Sequence, residues 1–182
     1  MDSLSERRAS VGIHLVVMGV AGCGKSAVGV RIAQLLGLPL IEGDEFHPAR
    51  NIEKMRQGLP LDDQDRAGWL ERLGGELLRH PAGAVLTCSA LKRVYRDSLR
   101  QAVPELRFVH LYLSQEQALQ RVAARDDHFY PPSLVASQFE ALEDPRSEPL
   151  VLAVDACLSV EQIAVRAADW LAKGFGDSTM RN

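Results

Sequence analysis

The segment GVAGCGKS at residues 19–26 constrains this chain more than any other part of its sequence. It matches the pattern G-x-x-x-x-G-K-[ST], which depends on a strand before it and a helix after it. The run IHLVVM at 13–18 predicts a buried strand, and the apolar spacing from Lys25 predicts a helix that ends at Gly37. Glycines let backbone N–H groups curl around phosphate oxygens, and a helix N-terminus favours negative charge. The segment therefore predicts a phosphate-binding loop.

The loop predicts ATP and Mg²⁺ as ligands. Lys25 is expected to reach the β- and γ-phosphates, and Ser26 to ligate Mg²⁺. Cys23 is either a thiolate favoured by the helix terminus or a passive filler. The predicted ATP-binding residues of the loop are Gly19, Val20, Ala21, Gly22, Cys23, Gly24, Lys25 and Ser26.

Short apolar runs alternate with helical patterns along the rest of the chain. Further strands are predicted at 38–41, 84–88, 107–113 and 150–154, and helices at 48–58, 63–79, 92–102, 115–125, 132–142 and 159–172. This alternation predicts an α/β fold with parallel strands, and the almost continuous apolar strands predict helices on both faces of the sheet. The pair Gly74-Gly75 makes a break in the predicted helix at 63–79 possible, since interior glycines destabilise helices.

Composition narrows the class of protein. A length of 182 residues fits one domain, with flexible tails expected at 1–10 and 174–182. The net charge of −3 argues against nucleic acid or an anionic membrane as a partner. The sequence has no membrane-spanning apolar run and no apolar signal-peptide core at its start. Three cysteines without paired spacing indicate neither a disulfide framework nor a zinc site, which favours a cytoplasmic protein.

The phosphate loop alone does not choose among nucleotide enzymes, switches and motors. A GTPase would usually carry an N-K-x-D motif, which this chain lacks, and a motor would need a second domain. A small-molecule or nucleotide kinase is therefore favoured, with a non-catalytic ATP-binding module as the alternative. Asp44 follows the second predicted strand, at the edge where parallel sheets bind ligands. It is predicted to take the proton of the attacking hydroxyl, to help hold Mg²⁺, or both; the alternative is a turn former.

Four longer stretches give the chain a specific resemblance. They are MGVAGCGKSAVG at 18–29, GDEFHPARNIEKMRQGLPLDDQDRAGWL at 43–70, CSALKRVYRDSLR at 88–100 and HFYPPSLVASQFEALEDP at 128–145. In these the chain resembles the gluconate kinase family. The resemblance implies transfer of the γ-phosphate of ATP to the 6-hydroxyl of D-gluconate. It also implies the nucleoside-monophosphate-kinase type of P-loop fold, a five-stranded parallel sheet flanked by helices with a lid at about 126–134, and a homodimer.

A gluconate pocket needs a cation for the carboxylate and donors and acceptors for the hydroxyls. The predicted substrate-binding residues are Asp44, His47, Arg50, Lys54, Ser89 and Lys92. Arg50 and Lys54 share one helix face at i, i+4, where a solvated mixed-charge face is the alternative. Ser89 either caps a helix or binds substrate, and Lys92 and Arg96 either face the reactants or lie on a helix surface. Among Asp62, Asp63 and Asp65, one is expected to be an N-cap.

Arg121 and Arg125 form an R-x-x-x-R pair that looks like the lid entry of related small kinases. The resemblance implies that Arg121 stacks on adenine and that Arg125 contacts the transferred phosphate, as a third catalytic residue beside Lys25 and Asp44. The family usually has Gly-His-Phe after this arginine, whereas this chain has Asp126-Asp127-His128-Phe129. The nearest rival is another small-molecule kinase such as shikimate kinase. That enzyme would carry a glycine triplet after the third strand, where this chain has Cys88-Ser89-Ala90.

Overall fold

The five predicted strands form one parallel sheet in the computed structural model, which describes residues 12–124 and 131–176. The strands are β1 (Ile13–Met18), β2 (Leu40–Glu42), β3 (Gly83–Thr87), β4 (Arg107–Tyr112) and β5 (Val151–Asp155). Their order is β2-β3-β1-β4-β5, so β1 is central. Leu15 of β1 pairs with Val85 on one side and Arg107 on the other. The predicted fold class is confirmed.

Helices flank the sheet and join its strands. They are α1 (Lys25–Leu36), α2 (Ala49–Arg56), α3 (Asp63–Leu78), α4 (Arg93–Ala102), α5 (Gln115–Ala123), α6 (Ser133–Ala141) and α7 (Val160–Gly176). A short 3₁₀ helix, Gly43–Phe46, follows β2. The predicted end of the first helix is confirmed, because Gly37 adopts a left-handed conformation with φ 63° and caps α1.

The core lies on both faces of the sheet, as the continuous apolar strands predict. Side chains of a strand alternate between faces. Leu15 and Val17 pack in the cluster beneath α1 and α7, whereas Val16 and Met18 pack in the cluster beneath α3 and α4. All four are fully buried. The central strand is thus covered on both sides, which leaves its carboxyl end as the place where functional groups meet.

The second strand differs from its predicted bounds. The run LPLI at 38–41 predicts a strand there, but β2 covers Leu40–Glu42 and continues directly into the 3₁₀ helix. Gly43 permits this close passage, because a Cβ at that position would lie 2.2 Å from the carbonyl oxygen of Thr87. Trp69 Nε1 then donates a hydrogen bond of 2.8 Å to the carbonyl oxygen of Gly43. This local geometry depends on β3 and α3, which the local pattern does not report.

Helix α3 is continuous through Gly74-Gly75, so the possible break does not occur. A Cβ on Gly74 would lie 3.0 Å from the Cβ of Ala102, and glycine there lets α3 approach α4 closely. The expected aspartate N-cap is confirmed as Asp62. Its side chain accepts from the backbone N–H of Asp65, whose side chain accepts from the N–H of Asp62 in return.

Several predicted segments fall outside the described residues. They are the tail at 1–10, most of the tail from 174, and residues 125–130, which hold Arg125 and most of the expected lid. Helix α7 continues to Gly176, four residues beyond its predicted end at 172. No helix among the described residues has the length and apolar character to cross a membrane.

Candidate active site

A cleft opens where β1, β2 and β3 end, and it brings most of the predicted site residues together. Its walls include the phosphate-loop residues Ala21, Gly22 and Gly24 and five predicted side chains: Lys25, Ser26, Asp44, His47 and Ser89. The cleft continues into a far half, lined by Pro60, Lys92, Tyr95 and Glu140. Met55, Leu61, Arg66 and Gln138 line both halves. Phosphate-binding and cationic groups therefore share one continuous space.

The phosphate loop has the backbone that its glycines predict. Gly22 and Gly24 have φ of 83° and 93°, a left-handed region that residues with a Cβ avoid. Lys25 Nζ donates to the carbonyl oxygens of Gly19 and Val20, both at 3.1 Å. Cys23 is buried in the apolar cluster beneath α1 and α7, which favours the passive-filler interpretation. The Lys25 ammonium group therefore contacts the backbone of the phosphate loop itself.

Ser26 contacts a carboxylate that sequence reasoning missed. Its hydroxyl donates a hydrogen bond of 3.1 Å to Oε2 of Glu42, and the hydroxyl of Thr87 donates to the same oxygen at 2.6 Å. Glu42 is the last residue of β2, and the predicted strand ended one residue earlier, at 41. Its carboxylate and the Ser26 hydroxyl are oxygen ligands of the kind that Mg²⁺ prefers, with the remaining positions left to water and phosphate. The donor set therefore fits the predicted ion.

Asp44 and His47 line the same cleft from the segment that follows β2. Asp44 is an exposed carboxylate, and its Oδ1 is 3.9 Å from His47 Nε2. The His47 ring stacks on Trp69, with 4.1 Å between ring centroids and 15° between ring planes. Burial lowers the pKa of His47 to about 4, so the ring is neutral near pH 7.

The protonation of this neutral ring follows from its neighbour Asn51. The Asn51 Nδ2 group donates to the carbonyl oxygen of Asp65 at 2.9 Å and also lies 3.3 Å from His47 Nδ1. Because Nδ2 is a donor in both contacts, Nδ1 must be the acceptor and Nε2 carries the proton. His47 therefore presents an N–H group toward Asp44, so Asp44 is the better placed of the two to accept a proton.

Arg66 is a second functional residue that sequence reasoning missed. It is 9% exposed, and its Nη1 donates to the hydroxyl of Ser89 at 3.3 Å. Its guanidinium lies 5.9 Å from the Trp69 ring centroid and 5.5 Å from that of Tyr95. Among the described residues it forms no salt bridge. A buried cation that lines both halves of the cleft is suited to bind an anion.

Ser89 lies on the loop after β3 and does not cap a helix. Lys92 is the N-cap residue of α4, without a side-chain cap bond. The Ser89 carbonyl oxygen instead accepts the N–H of Gly19 at 3.3 Å, which ties this loop to the phosphate loop. The Lys92 ammonium pairs with Asp63 Oδ1 at 2.7 Å, and that bond raises the pKa of Lys92. Tyr95 also donates to Asp63; burial first, and then this bond, raise its pKa to about 12.

Several known proteins are similar to this chain in sequence and in fold. Residues 15–149 match the AAA domain family. The thermosensitive gluconokinase of Escherichia coli is 44% identical over 140 residues, which cover 75% of each chain. The gluconokinase of Gluconobacter oxydans is 44% identical over 158 residues, 83% of this chain and 88% of that protein. This chain belongs to the gluconokinase family. A gluconokinase crystal structure from Sinorhizobium meliloti superposes with a TM-score of 0.84 at 43% identity, covering 93% of this chain and 98% of that one.

Two cations predicted from the family resemblance lie away from the cleft. Arg50 is exposed on α2 and is not part of the cleft wall. Lys54 Nζ bonds Asp65 Oδ2 at 2.5 Å and lies 3.6 Å from Asp62, and the bond to Asp65 raises its pKa. It thereby ties α2 to the start of α3. Helical spacing placed both on α2 correctly, but the face that borders the cleft presents Met55, and the substrate roles of both stay predictions.

The remaining predicted arginines have different positions. Arg121 donates to the carbonyl oxygen of Gly22 at 3.4 Å and to that of Ala156 at 2.9 Å, beside the phosphate loop. Arg125, with Asp126 and Asp127, lies outside the described residues. Arg96 is fully buried and pairs with Glu148, so it neither faces the reactants nor lies on a helix surface. It also donates to the carbonyl oxygens of Ala90 and Leu91, which holds the loop that carries Ser89.

Proposed function

We propose that this protein transfers the γ-phosphoryl group of ATP to the 6-hydroxyl of D-gluconate, giving ADP and 6-phosphogluconate. The observation that carries the proposal is the position of the buried Arg66, which forms no salt bridge within the described residues, in the same cleft as the phosphate loop. A phosphate site and a separate anion site in one cleft suit a nucleotide and an acidic acceptor. The gluconokinase relatives support the same acceptor.

Phosphoryl transfer consists mainly of positioning and charge stabilisation. Lys25 leaves its two loop carbonyls and pairs with the β- and γ-phosphates of ATP. Ser26 and Glu42 would hold Mg²⁺, which would neutralise charge on the phosphates, and Asp44 would help to hold the ion. Asp44 accepts the proton of the 6-hydroxyl, since it is an exposed carboxylate that lines the same cleft as the loop. General base catalysis of this kind contributes roughly 10²–10⁴-fold.

Arg66 is the best placed cation for the gluconate carboxylate. Its planar guanidinium suits two-pronged contact with a carboxylate, and its burial removes competing water. Ser89 and Lys92 lie beside it and supply further donors, although Lys92 must share its charge with Asp63. Arg50 and Lys54 would need a movement of α2 to take this role. Arg121 is proposed to stack on adenine and Arg125 to contact the transferred phosphate, as the family resemblance implies.

The cellular setting and the assembly of the protein are also proposed. We infer a cytoplasmic homodimer from the reduced-thiol composition and from the family resemblance. The described cysteines are free, with Cys23 and Cys88 buried and Cys157 exposed. Sedimentation of the purified protein at several concentrations measures its assembly: a mass of one chain throughout would contradict the dimer.

A substrate panel tests the proposed function. ADP release is measured with D-gluconate, D-glucose and shikimate at equal concentrations, with and without Mg²⁺. We expect Mg²⁺-dependent turnover with gluconate and at least tenfold lower kcat/KM with the other two. Glucose has no carboxylate and leaves Arg66 unpaired, whereas shikimate has a carboxylate but no primary hydroxyl to accept the phosphoryl group. Turnover of shikimate in preference to gluconate would favour the rival kinase. Absence of ADP release with every acceptor would favour a non-catalytic ATP-binding module.

A further inference from the structure

Helix α6 sends one polar side chain into the phosphate loop. Gln138 is 8% exposed, and its Oε1 accepts the backbone N–H of Ala21 at 2.6 Å. The donor of this bond is a main-chain N–H, which fixes the orientation of the amide group: the oxygen faces the loop and the nitrogen faces away. The side chain also lines both halves of the cleft. Its position is therefore set by the phosphate loop and not by solvent.

In the part of the chain that the structure describes, the amide nitrogen of Gln138 has no hydrogen-bond partner. Within the described residues Nε2 makes no hydrogen bond, and it is not among the enclosed polar atoms that lack one, which are Asn51 Oδ1, Arg100 Nη2 and His110 Nδ1. It is therefore open to the cleft. Nine-tenths of the side chain is buried, yet two N–H donors are left to a group inside the cleft. A bound ligand oxygen would satisfy them.

We propose that Gln138 Nε2 donates a hydrogen bond to an oxygen of the transferred γ-phosphoryl group, while its Oε1 remains on the loop. This assignment rests on the proposed ATP-dependent function. A phosphoryl oxygen is the acceptor of choice, because it is anionic and is held by the loop that Gln138 touches. Gln138 lines the half of the cleft that holds the loop and also the half that holds Lys92 and Tyr95. Gln138 thereby joins Lys25 in stabilising the group in transfer.

The substitution Gln138→Glu separates the two ends of the side chain. Glutamate has the same shape and keeps an oxygen for the Ala21 N–H, but it replaces the donor by a second anionic oxygen. Gln138→Met removes both ends and leaves the volume similar. If Gln138 only braces the loop, Gln138→Glu weakens ADP and ATP binding alike, because its added charge repels both nucleotides, and Gln138→Met weakens both by releasing the Ala21 N–H. If Nε2 binds the phosphoryl group, both variants lose activity and Gln138→Glu loses more.

Nucleotide binding gives the decisive measurement, because it needs no sugar and is independent of the acceptor. Affinities for ADP and for a non-hydrolysable ATP analogue are measured by calorimetry for wild type and both variants, with circular dichroism to confirm folding. We expect Gln138→Glu to lower the affinity for the ATP analogue by about ten- to a hundredfold, which is the range for a lost hydrogen bond to a charged group. The affinity for ADP should fall much less.

Three results would overturn the proposal. Wild-type affinity for the ATP analogue in Gln138→Glu would show that Nε2 needs no partner on the nucleotide. Equal weakening of ADP and the ATP analogue would place the contact away from the γ-phosphoryl group. Unchanged nucleotide affinity with a raised KM for gluconate would assign Nε2 to the acceptor. A protein that binds nucleotide as we expect but fails to phosphorylate gluconate would leave this assignment intact and remove only the proposed substrate.

Discussion

The hydroxyl of Ser26 donates a hydrogen bond of 3.1 Å to the carboxylate of Glu42, across the gap between α1 and β2. The two groups come from sequence positions that local patterns treat separately. Their contact places a carboxylate beside the phosphate loop, and the hydroxyl of Thr87 fixes its orientation from β3. Mg²⁺ in kinase sites is held by one or two carboxylates together with substrate phosphates. The pair therefore defines the predicted metal position more closely than Ser26 does alone.

Glu42→Gln should raise the Mg²⁺ concentration needed for half-maximal activity and lower kcat at saturating Mg²⁺. The amide keeps the shape and can still accept from Ser26, but it removes the negative charge that attracts the ion. We expect a loss of at least tenfold in kcat/KM for the Mg²⁺–ATP complex, measured by ADP release in a Mg²⁺ titration. Glu45→Gln is the matched control, since Glu45 is exposed on the 3₁₀ helix that directly follows Glu42. Equal effects of the two substitutions would contradict a metal role for Glu42.

Lys25→Ala should abolish turnover and leave the fold intact. Among the described residues, Lys25 Nζ bonds two carbonyl oxygens of its own loop and contacts the Cys23 sulfur at 4.0 Å, so its removal costs little packing. Removal of a preorganised electrostatic contact in a catalytic site costs roughly 10²–10³-fold in kcat. ADP release and thermal unfolding are measured together, with Lys173→Ala on the exposed side of α7 as the control. Activity above about a tenth of wild type would contradict the assigned role.

Substitutions of Arg66 and Arg50 show which of the two arginines binds the sugar carboxylate, because they should affect the preference for gluconate over glucose differently. If Arg66 holds it, Arg66→Met should lower kcat/KM for gluconate by about ten- to a hundredfold and change the low activity with glucose much less. Arg50→Ala should then leave the ratio of the two substrates unchanged, because Arg50 lies outside the cleft wall. Initial rates with both sugars for the three proteins decide between them. Collapse of the ratio in Arg50→Ala alone would restore the interpretation based on sequence.

His110 makes stability depend on pH. Burial lowers its pKa to about 4, whereas the unfolded chain titrates near the ordinary value of 6.5. Between these values the unfolded state binds more protons, so the free energy of unfolding falls as pH falls from 6.5 to 4. His110→Phe should reduce the slope in this window by up to about 1.4 kcal/mol per pH unit. Urea unfolding of both proteins at several pH values measures it. His47 contributes in the same direction in both proteins, and identical slopes would contradict the prediction.

The sequence predicted the fold well because apolar residues recur with the period of each helix or strand and because turn residues separate these elements. Glycines mark the phosphate loop and the end of α1, and the apolar strands are buried on both faces. The phosphate loop, Asp44, His47 and Ser89 converge because all follow strands that end at one edge of a parallel sheet. These residues were found because topology alone brings them together.

The missed residues depend on contacts between elements that are distant in sequence. Glu42 lies just beyond the predicted strand, and the Gly43 contact with Thr87 sets where β2 ends. Arg66 lies in the stretch 43–70 that carries the family resemblance. Its orientation toward the cleft depends on packing against Trp69 and Tyr95. Gln138 reaches Ala21 across 117 positions of sequence. Helical periodicity gives the faces of α2, α3 and α6, but not which face borders the cleft.

The position of the phosphate on the sugar is the most direct test of the proposed transfer to the 6-hydroxyl of D-gluconate. The protein is incubated with D-gluconate, ATP and Mg²⁺, and the product is examined by ³¹P NMR without proton decoupling. Phosphate on the 6-hydroxyl couples to both protons of that primary carbon. We therefore expect a new triplet that grows as ADP forms. Phosphate on a secondary hydroxyl would give a doublet. A doublet, or ADP formation with inorganic phosphate as the only other product, would contradict the account.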